Sequence, residues 1–503
     1  MTFVALAVVV CLTTASRPAV AQFYQSDFPP EEFKARWAKV FEKIGPDAAA
    51  VLQGVSLTTG FIMPRQHNSF YYLSGIETPG AYLLIDGRTK KVTLYLPPRN
   101  ANLERAEGKV LSADDAEAVK KLTGVDEVLP TSRMGPTWPT IAALPPEGQA
   151  PPAPAPGGPR NQGPRAPVIY AEYEPAEGQG QSRGELRTAN NAVANDPWDG
   201  RLPRESQFLG LLQFRNRGSE VRNLNPILDE MRSIKSPREI ALVRRASQLA
   251  GLGVMEAMRS TEAGVYEYQL DAAARYVFLN NDAKLEAYRS ITAAGTDNIN
   301  NMHYYRNLRK LEDGELVLMD YAPDYRYYVS DIGRVWPVNG KYTPAQRELL
   351  QFVLEYHKAV MSRIKPGAKP ADIMASAKAA MEPILAKTKF SKPIYEAAAK
   401  RLIETGGGVL SHGVGMAVHD VGSYRDGLKP GHVFSIDPQL RVPEENLYLR
   451  YEDTIVVTDT GYENFTHFLP VELDEMEALV REKGIVQKAP AGPSEDVLRK
   501  SSH

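Results

Sequence analysis

Residues 315–336, ELVLMDYAPDYRYYVSDIGRVW, decide the fold. They read as two strands folding back on each other: Val, Leu, Tyr and Ile dominate both halves, and Pro323 and Asp324 mark the break. Asp320 falls near the end of the first strand and Asp331 inside the second. A carboxylate in either apolar setting is costly to bury unless a cation holds it. With a reversal about Tyr325 and Arg326, Asp320 and Asp331 stand opposite one another on one face of the ladder, where they can grip one ion or a pair.

Downstream, three more polar groups stand in stretches that otherwise read as apolar strands or Gly-rich turns: His412, Asp437 and Glu452. In HVFSIDPQL, Asp437 follows an apolar strand and precedes Pro438. In NLYLRYEDTIVV, alternation sets Arg450, Glu452 and Thr454 on one face. Taken singly, an aspartate in a strand is usually an edge residue or a turn cap. A carboxylate-rich set with one imidazole instead suits two divalent ions such as Mn²⁺, Co²⁺ or Zn²⁺, sharing bridging carboxylates, with Arg450 as a supporting side chain. His67, His357, His432 and His467 show no partner pattern and read as structural or exposed, and Phe70, Tyr71 and Tyr72 read as core.

Ser236-Pro237-Arg238-Glu239 is a capping box that opens a long helix, and Thr343-Pro344-Ala345-Gln346 opens another. From 226 to about 485 helices and strands alternate irregularly, which predicts an α+β domain with antiparallel sheet. Ahead of it, PPEEFKARWAKVFEKI (29–44) has the apolar spacing of a helix, and SFYYLSGI, GAYLLIDG and KVTLYLPP read as strands of a smaller α/β domain. That domain spans 22–225. It is interrupted at 144–168 by a Pro/Gly/Ala/Gln-rich insertion that has too little apolar surface to fold. Residues 486–503 read as a frayed polar tail.

The chain has 503 residues and a formal net charge of −2, with 43% hydrophobic and 24% charged residues. This is the balance of a folded globular protein, with no whole-chain bias toward nucleic acid or an anionic membrane. Residues 1–21 form a short apolar run ending in Ala19-Val20-Ala21, which predicts a signal peptide cleaved before Gln22 and a secreted or periplasmic product. The one cysteine, Cys11, lies in that segment, so the mature chain forms no disulfide, and no later run predicts a membrane span.

Several ordered blocks resemble the Xaa-Pro aminopeptidase and prolidase branch of the pita-bread-fold metallopeptidases. They run from FYYLSGIETPGAYLLI and LYLPPRN through MRSIKSPREIALVRRA, AAGTDNINNMHYYRN and the 315–336 hairpin to SHGVGMAVHDVGSY and YLRYEDTIVVTDTGYENFT. The resemblance implies a C-terminal pita-bread catalytic domain (226–485) behind an aminopeptidase P-like N-terminal domain. It implies Asp320, Asp331, His412, Asp437 and Glu452 as ligands of two divalent ions, most often Mn²⁺, with Asp331 and Glu452 bridging. His303 and His419 become the substrate-facing imidazoles, and Arg450 supports the centre. The implied partner is a peptide with proline at its second position; dimers or tetramers are common in the family, so a homo-oligomer is implied as well. A prolidase-type dipeptidase and a catalytically weakened peptide-binding scaffold are the alternatives.

The chain departs from the family pattern at three places. Asp437-Pro438-Gln439 stands where the family has Glu-Pro-Gly, Gly408 where it usually has His, and Arg441 where it tends to have Tyr.

Overall fold

The computed structural model describes residues 25–57, 62–135, 168–178, 180–410 and 412–488. The predicted signal segment, nearly all of the Pro-rich insertion and the tail beyond 488 lie outside the described residues.

The helix predicted at 29–44 is present as Pro30–Ile44. It buries Phe33, Trp37, Val40 and Ile44, one stripe at helical spacing, against a mixed six-stranded sheet. In spatial order the strands are Glu127–Pro130, Lys91–Leu96, Tyr82–Asp86, Ala48–Gln53, Val168–Ala171 and Val221–Asn223. The three inner strands Lys91–Leu96, Tyr82–Asp86 and Ala48–Gln53 run antiparallel, and the flanking pairs are parallel. Helix Arg204–Arg215 closes the other face, placing Phe208, Leu209 and Leu212 over Val51, Leu84, Tyr95 and Ile169.

SFYYLSGI is not a strand. Asn68–Ser74 is a short helix ended by Gly75 in the left-handed conformation, and every one of its residues is buried. A helix buried on all sides has no polar face, so its sequence carries no 3.6-residue period and reads like a buried strand.

In the second domain both capping boxes form. Ser236 Oγ accepts from the Glu239 amide at 3.3 Å while Glu239 Oε2 accepts from the Ser236 amide at 2.9 Å, opening helix Pro237–Arg259. Thr343 and Gln346 do the same for Pro344–Met361. Such caps contribute ~1 kcal/mol each. All strand pairs among the described residues of this domain are antiparallel, which makes it α+β. Leu316–Asp320 lies between Gly333–Pro337 and Ile291–Ala294; Asp453–Val457 lies between Val433–Ile436 and Tyr462–Asn464; and Gln439–Val442 pairs with Leu447–Arg450. A bridge between Gly333 and Glu452 brings the two halves of the domain together. Among the described residues, no helix is long and apolar enough to cross a membrane.

The central hairpin differs from expectation by one residue. The chain reverses about Arg326 and Tyr327, both at positive φ (55° and 74°), between the paired residues Tyr325 and Tyr328. Positive φ at both central positions matches the right-handed twist of a hairpin, but it normally selects Gly or Asn. Here the first domain clamps the turn. Tyr327 stacks on Tyr71 with ring centroids 3.5 Å apart, its hydroxyl accepts from the Gln66 amide, and its own amide donates to Asp324. The shift makes Gly333, not Asp331, the partner of Asp320, and leaves Asp331 just before the strand.

Candidate metal centre

Asp320 ends its strand, Asp331 precedes Gly333–Pro337, and Glu452 sits in the break between Leu447–Arg450 and Asp453–Val457. One carboxylate oxygen from each lies within 4.8 Å of the others, and all three residues are buried. Asp331 also belongs to a second group with His412 and His419 at the same spacing, so it is common to both. The His412 Nδ1 lies 3.2 Å from the Gly413 carbonyl, a contact that directs Nε2 toward Asp331 Oδ2 at 3.5 Å. Gly333 makes this convergence possible: a Cβ there would stand 3.2 Å from Glu452 Oε2 and 3.3 Å from Arg450 Nε.

Arg450 holds the carboxylates from one side. It donates to Asp320 Oδ2 at 2.6 Å, to Glu452 Oε2 at 2.5 Å, and with both arms of its fork to Asp437 at 2.9 and 2.7 Å. Tyr288 closes the other side, donating to Asp320 at 2.5 Å and lying 2.9 Å from Asp331. Burial, with Asp320 next in effect, pushes the Asp331 carboxyl well above its usual range; burial and Asp331 do the same to Glu452. Burial also lowers the His412 imidazole to about 3, helped by His419 beside it, so this ring is neutral and able to donate a lone pair.

Four buried carboxylates against one guanidinium leave an excess of negative charge, and Glu452 Oε1 is buried without a hydrogen-bond partner. An oxygen donor set of this kind with one imidazole fits a divalent cation.

The remaining predicted residues are placed as follows. Asp437 is buried beside this group but outside the two convergent sets, in the fork of Arg450 and within reach of the Gln439 amide. His419 packs on His412 with ring centroids 4.1 Å apart. His303 is exposed, yet near enough to His419 to help burial lower its pKa. Arg441 lays its guanidinium on the Tyr448 ring at 4.2 Å. Two residues of the site escaped sequence reasoning. Tyr288 had no local signal except its position before the strand Ile291–Ala294. Glu185, on helix Arg183–Ala194, reaches His419 Nδ1 at 3.6 Å from a region with no motif.

This donor set has the composition of a divalent-metal site. Residues 241–459 match Metallopeptidase family M24, and residues 33–145 match the aminopeptidase P N-terminal domain. An Xaa-Pro aminopeptidase of Haemophilus influenzae is 28% identical over 483 residues, covering 91% of this chain and 99% of that protein. Two solved structures are similar throughout. Zinc-substituted Escherichia coli aminopeptidase P in complex with product has a TM-score of 0.67 at 26% identity, covering 93% of this chain and 100% of that one. A variant of the same enzyme in complex with substrate has a TM-score of 0.68 at 26% identity, covering 92% and 100%. The chain belongs to the aminopeptidase P-like branch of the M24 metallopeptidases, with an aminopeptidase P N-terminal domain ahead of a pita-bread catalytic domain.

Proposed function

We propose that the protein is a metal-dependent Xaa-Pro aminopeptidase, hydrolysing the bond between an N-terminal residue and a following proline. The single observation that carries this is the buried meeting of Asp320, Asp331 and Glu452, with His412 against Asp331, in a chain that follows aminopeptidase P over nearly its whole length. We assign Asp320, Asp331, His412 and Glu452 as ligands of two divalent ions, with Mn²⁺ as the native metal. The charge excess of the site supports a cation pair, and the mixed oxygen and imidazole donors suit Mn²⁺.

When bound, the metal supplies Lewis acidity that ionises water near neutral pH and polarises the scissile carbonyl. Everything else falls to the chain. Arg450 and Tyr288 fix the carboxylates in place before substrate arrives, so no reorganisation is needed at the moment of reaction. His419 donates to the charge that develops on the carbonyl oxygen. Burial lowers its pKa, while Glu185 opposes that and favours the protonated, donating form. His303, on the exposed side, passes a proton to the leaving nitrogen.

Cleavage of a tripeptide Xaa-Pro-Xaa compared with the dipeptide Xaa-Pro, both with added Mn²⁺, tests the assignment. The tripeptide is the better substrate for an aminopeptidase; preference for the dipeptide makes the protein a prolidase. The apolar run of residues 1–21 supports a secreted or periplasmic location. Sequencing the N-terminus of the protein recovered from the expressing cell checks it: a start at Gln22 is expected, and retention of Met1 would refute export.

A further inference from the structure

Asp437 is spoken for. Gln439 and Arg450 are register partners in the antiparallel pair Gln439–Val442 and Leu447–Arg450, which brings the guanidinium alongside Asp437. The Arg450 fork uses both carboxylate oxygens, Nε on Oδ1 at 2.9 Å and Nη2 on Oδ2 at 2.7 Å, and Gln439 Nε2 donates to Oδ2 as well. Such a bidentate pair is among the stronger charge-assisted contacts a carboxylate makes.

Asp320 is likewise held on both oxygens, by Tyr288 and Arg450, so it is convergence on a common centre that sets Asp437 apart. Glu452 keeps a buried oxygen with no partner, and Asp320, Asp331 and Glu452 each point an oxygen at a common centre that excludes Asp437. An aspartate also reaches ~1.5 Å less than a glutamate would from the same backbone, against a tolerance of about 0.2 Å in a metal bond. For Asp437 to become a ligand, the Arg450 fork must open and the backbone must advance.

Resting on the metal-dependent peptidase reading, we propose that Asp437 serves as the counter-ion of Arg450 and that the two metal positions are consequently unequal. A divalent cation binds tightly on Asp320, Asp331 and Glu452. A second binds weakly beside His412, where Asp331 is the one carboxylate in the convergent group and His419 its other near donor among the described residues. Asp437 is thus a positioning residue that orients Arg450 across the other carboxylates.

The test is metal stoichiometry, which needs no turnover. The full-length protein is dialysed against metal-free buffer and titrated with Mn²⁺, with metal content and the Mn²⁺ electron paramagnetic resonance spectrum followed together. One Mn²⁺ per chain is expected to survive dialysis with the spectrum of an isolated ion, and the second to bind about 10- to 100-fold more weakly. Asp437→Glu is expected to narrow that gap to within about threefold. Two ions of equal affinity in the wild type, exchange-coupled from the first additions, would overturn the proposal while leaving the peptidase reading intact. No retained ion together with no cleavage of Xaa-Pro peptides would overturn both. If Asp437→Glu does not fold, as judged by thermal melting, the wild-type titration alone decides.

Discussion

Gly333 lies directly across the ladder from Asp320, and the space where its side chain would begin is taken by Glu452 Oε2 at 3.2 Å and Arg450 Nε at 3.3 Å. Neither neighbour can yield easily, because Arg450 is tied to three carboxylates and the Glu452 backbone is bridged to Gly333 itself. Gly333→Ala should therefore displace a ligand. The expected outcome is a loss of stability of about 1–3 kcal/mol from overpacking and roughly tenfold weaker metal binding. Denaturant unfolding and metal titration check the two effects separately.

Among the described residues, Arg450 is the one cation paired with Asp320, Asp437 and Glu452. Arg450→Ala leaves those buried charges facing one another, at a cost of roughly 3–5 kcal/mol, as when one partner is removed from a buried ion pair. Added Mn²⁺ should restore part of that stability, since a cation that binds only the folded state stabilises it. Arg450→Lys should rescue poorly, because an ammonium cannot fork across Asp437. Thermal melting with and without Mn²⁺ measures both.

Burial holds the Asp331 and Glu452 carboxyls above their ordinary pKa in the metal-free chain, whereas the same cause keeps His412 neutral down to about pH 3. The sign follows: the carboxyls retain protons that a cation must expel, so metal uptake releases protons and affinity falls as pH drops through their raised pKa values. The imidazole contributes nothing to that fall. Calorimetry in buffers of different ionisation enthalpy should show proton release on metal binding that grows as pH is lowered. A pH-independent enthalpy would contradict the assignment.

Glu185 approaches His419 Nδ1 at 3.6 Å and works against the burial that lowers its pKa. Removing that carboxylate disfavours the protonated imidazole. Glu185→Gln should lower kcat for an Xaa-Pro peptide by about tenfold, less than the loss of an oxyanion donor itself would cost, and leave KM nearly unchanged. Glu185→Asp should recover part of the rate. Steady-state kinetics of the two variants separates this from a loss of packing, which would raise KM or lower the melting temperature.

The ligand-bearing strands were legible because a carboxylate inside an apolar run is conspicuous, and the long helices because Ser236 and Thr343 announce them. The exact hairpin register was not. Arg326 and Tyr327 carry no turn signature, and their positive φ values are held by Tyr71 and Gln66 from another domain, a tertiary cause invisible in a local window. Helix Asn68–Ser74 was missed for want of a polar face. Glu185 and Tyr288 join the site through packing alone, and the partners of Asp437 depend on a strand register that spacing does not supply.

The most direct test of the peptidase assignment is a comparison of two peptides differing only at the second residue, proline or alanine. Each is incubated with protein stripped of metal by chelation and then resupplied with Mn²⁺, and the products are identified by mass. Release of the first residue from the proline peptide alone is expected, abolished by chelation and restored by Mn²⁺. Release that survives chelation, or that is indifferent to proline, would contradict it.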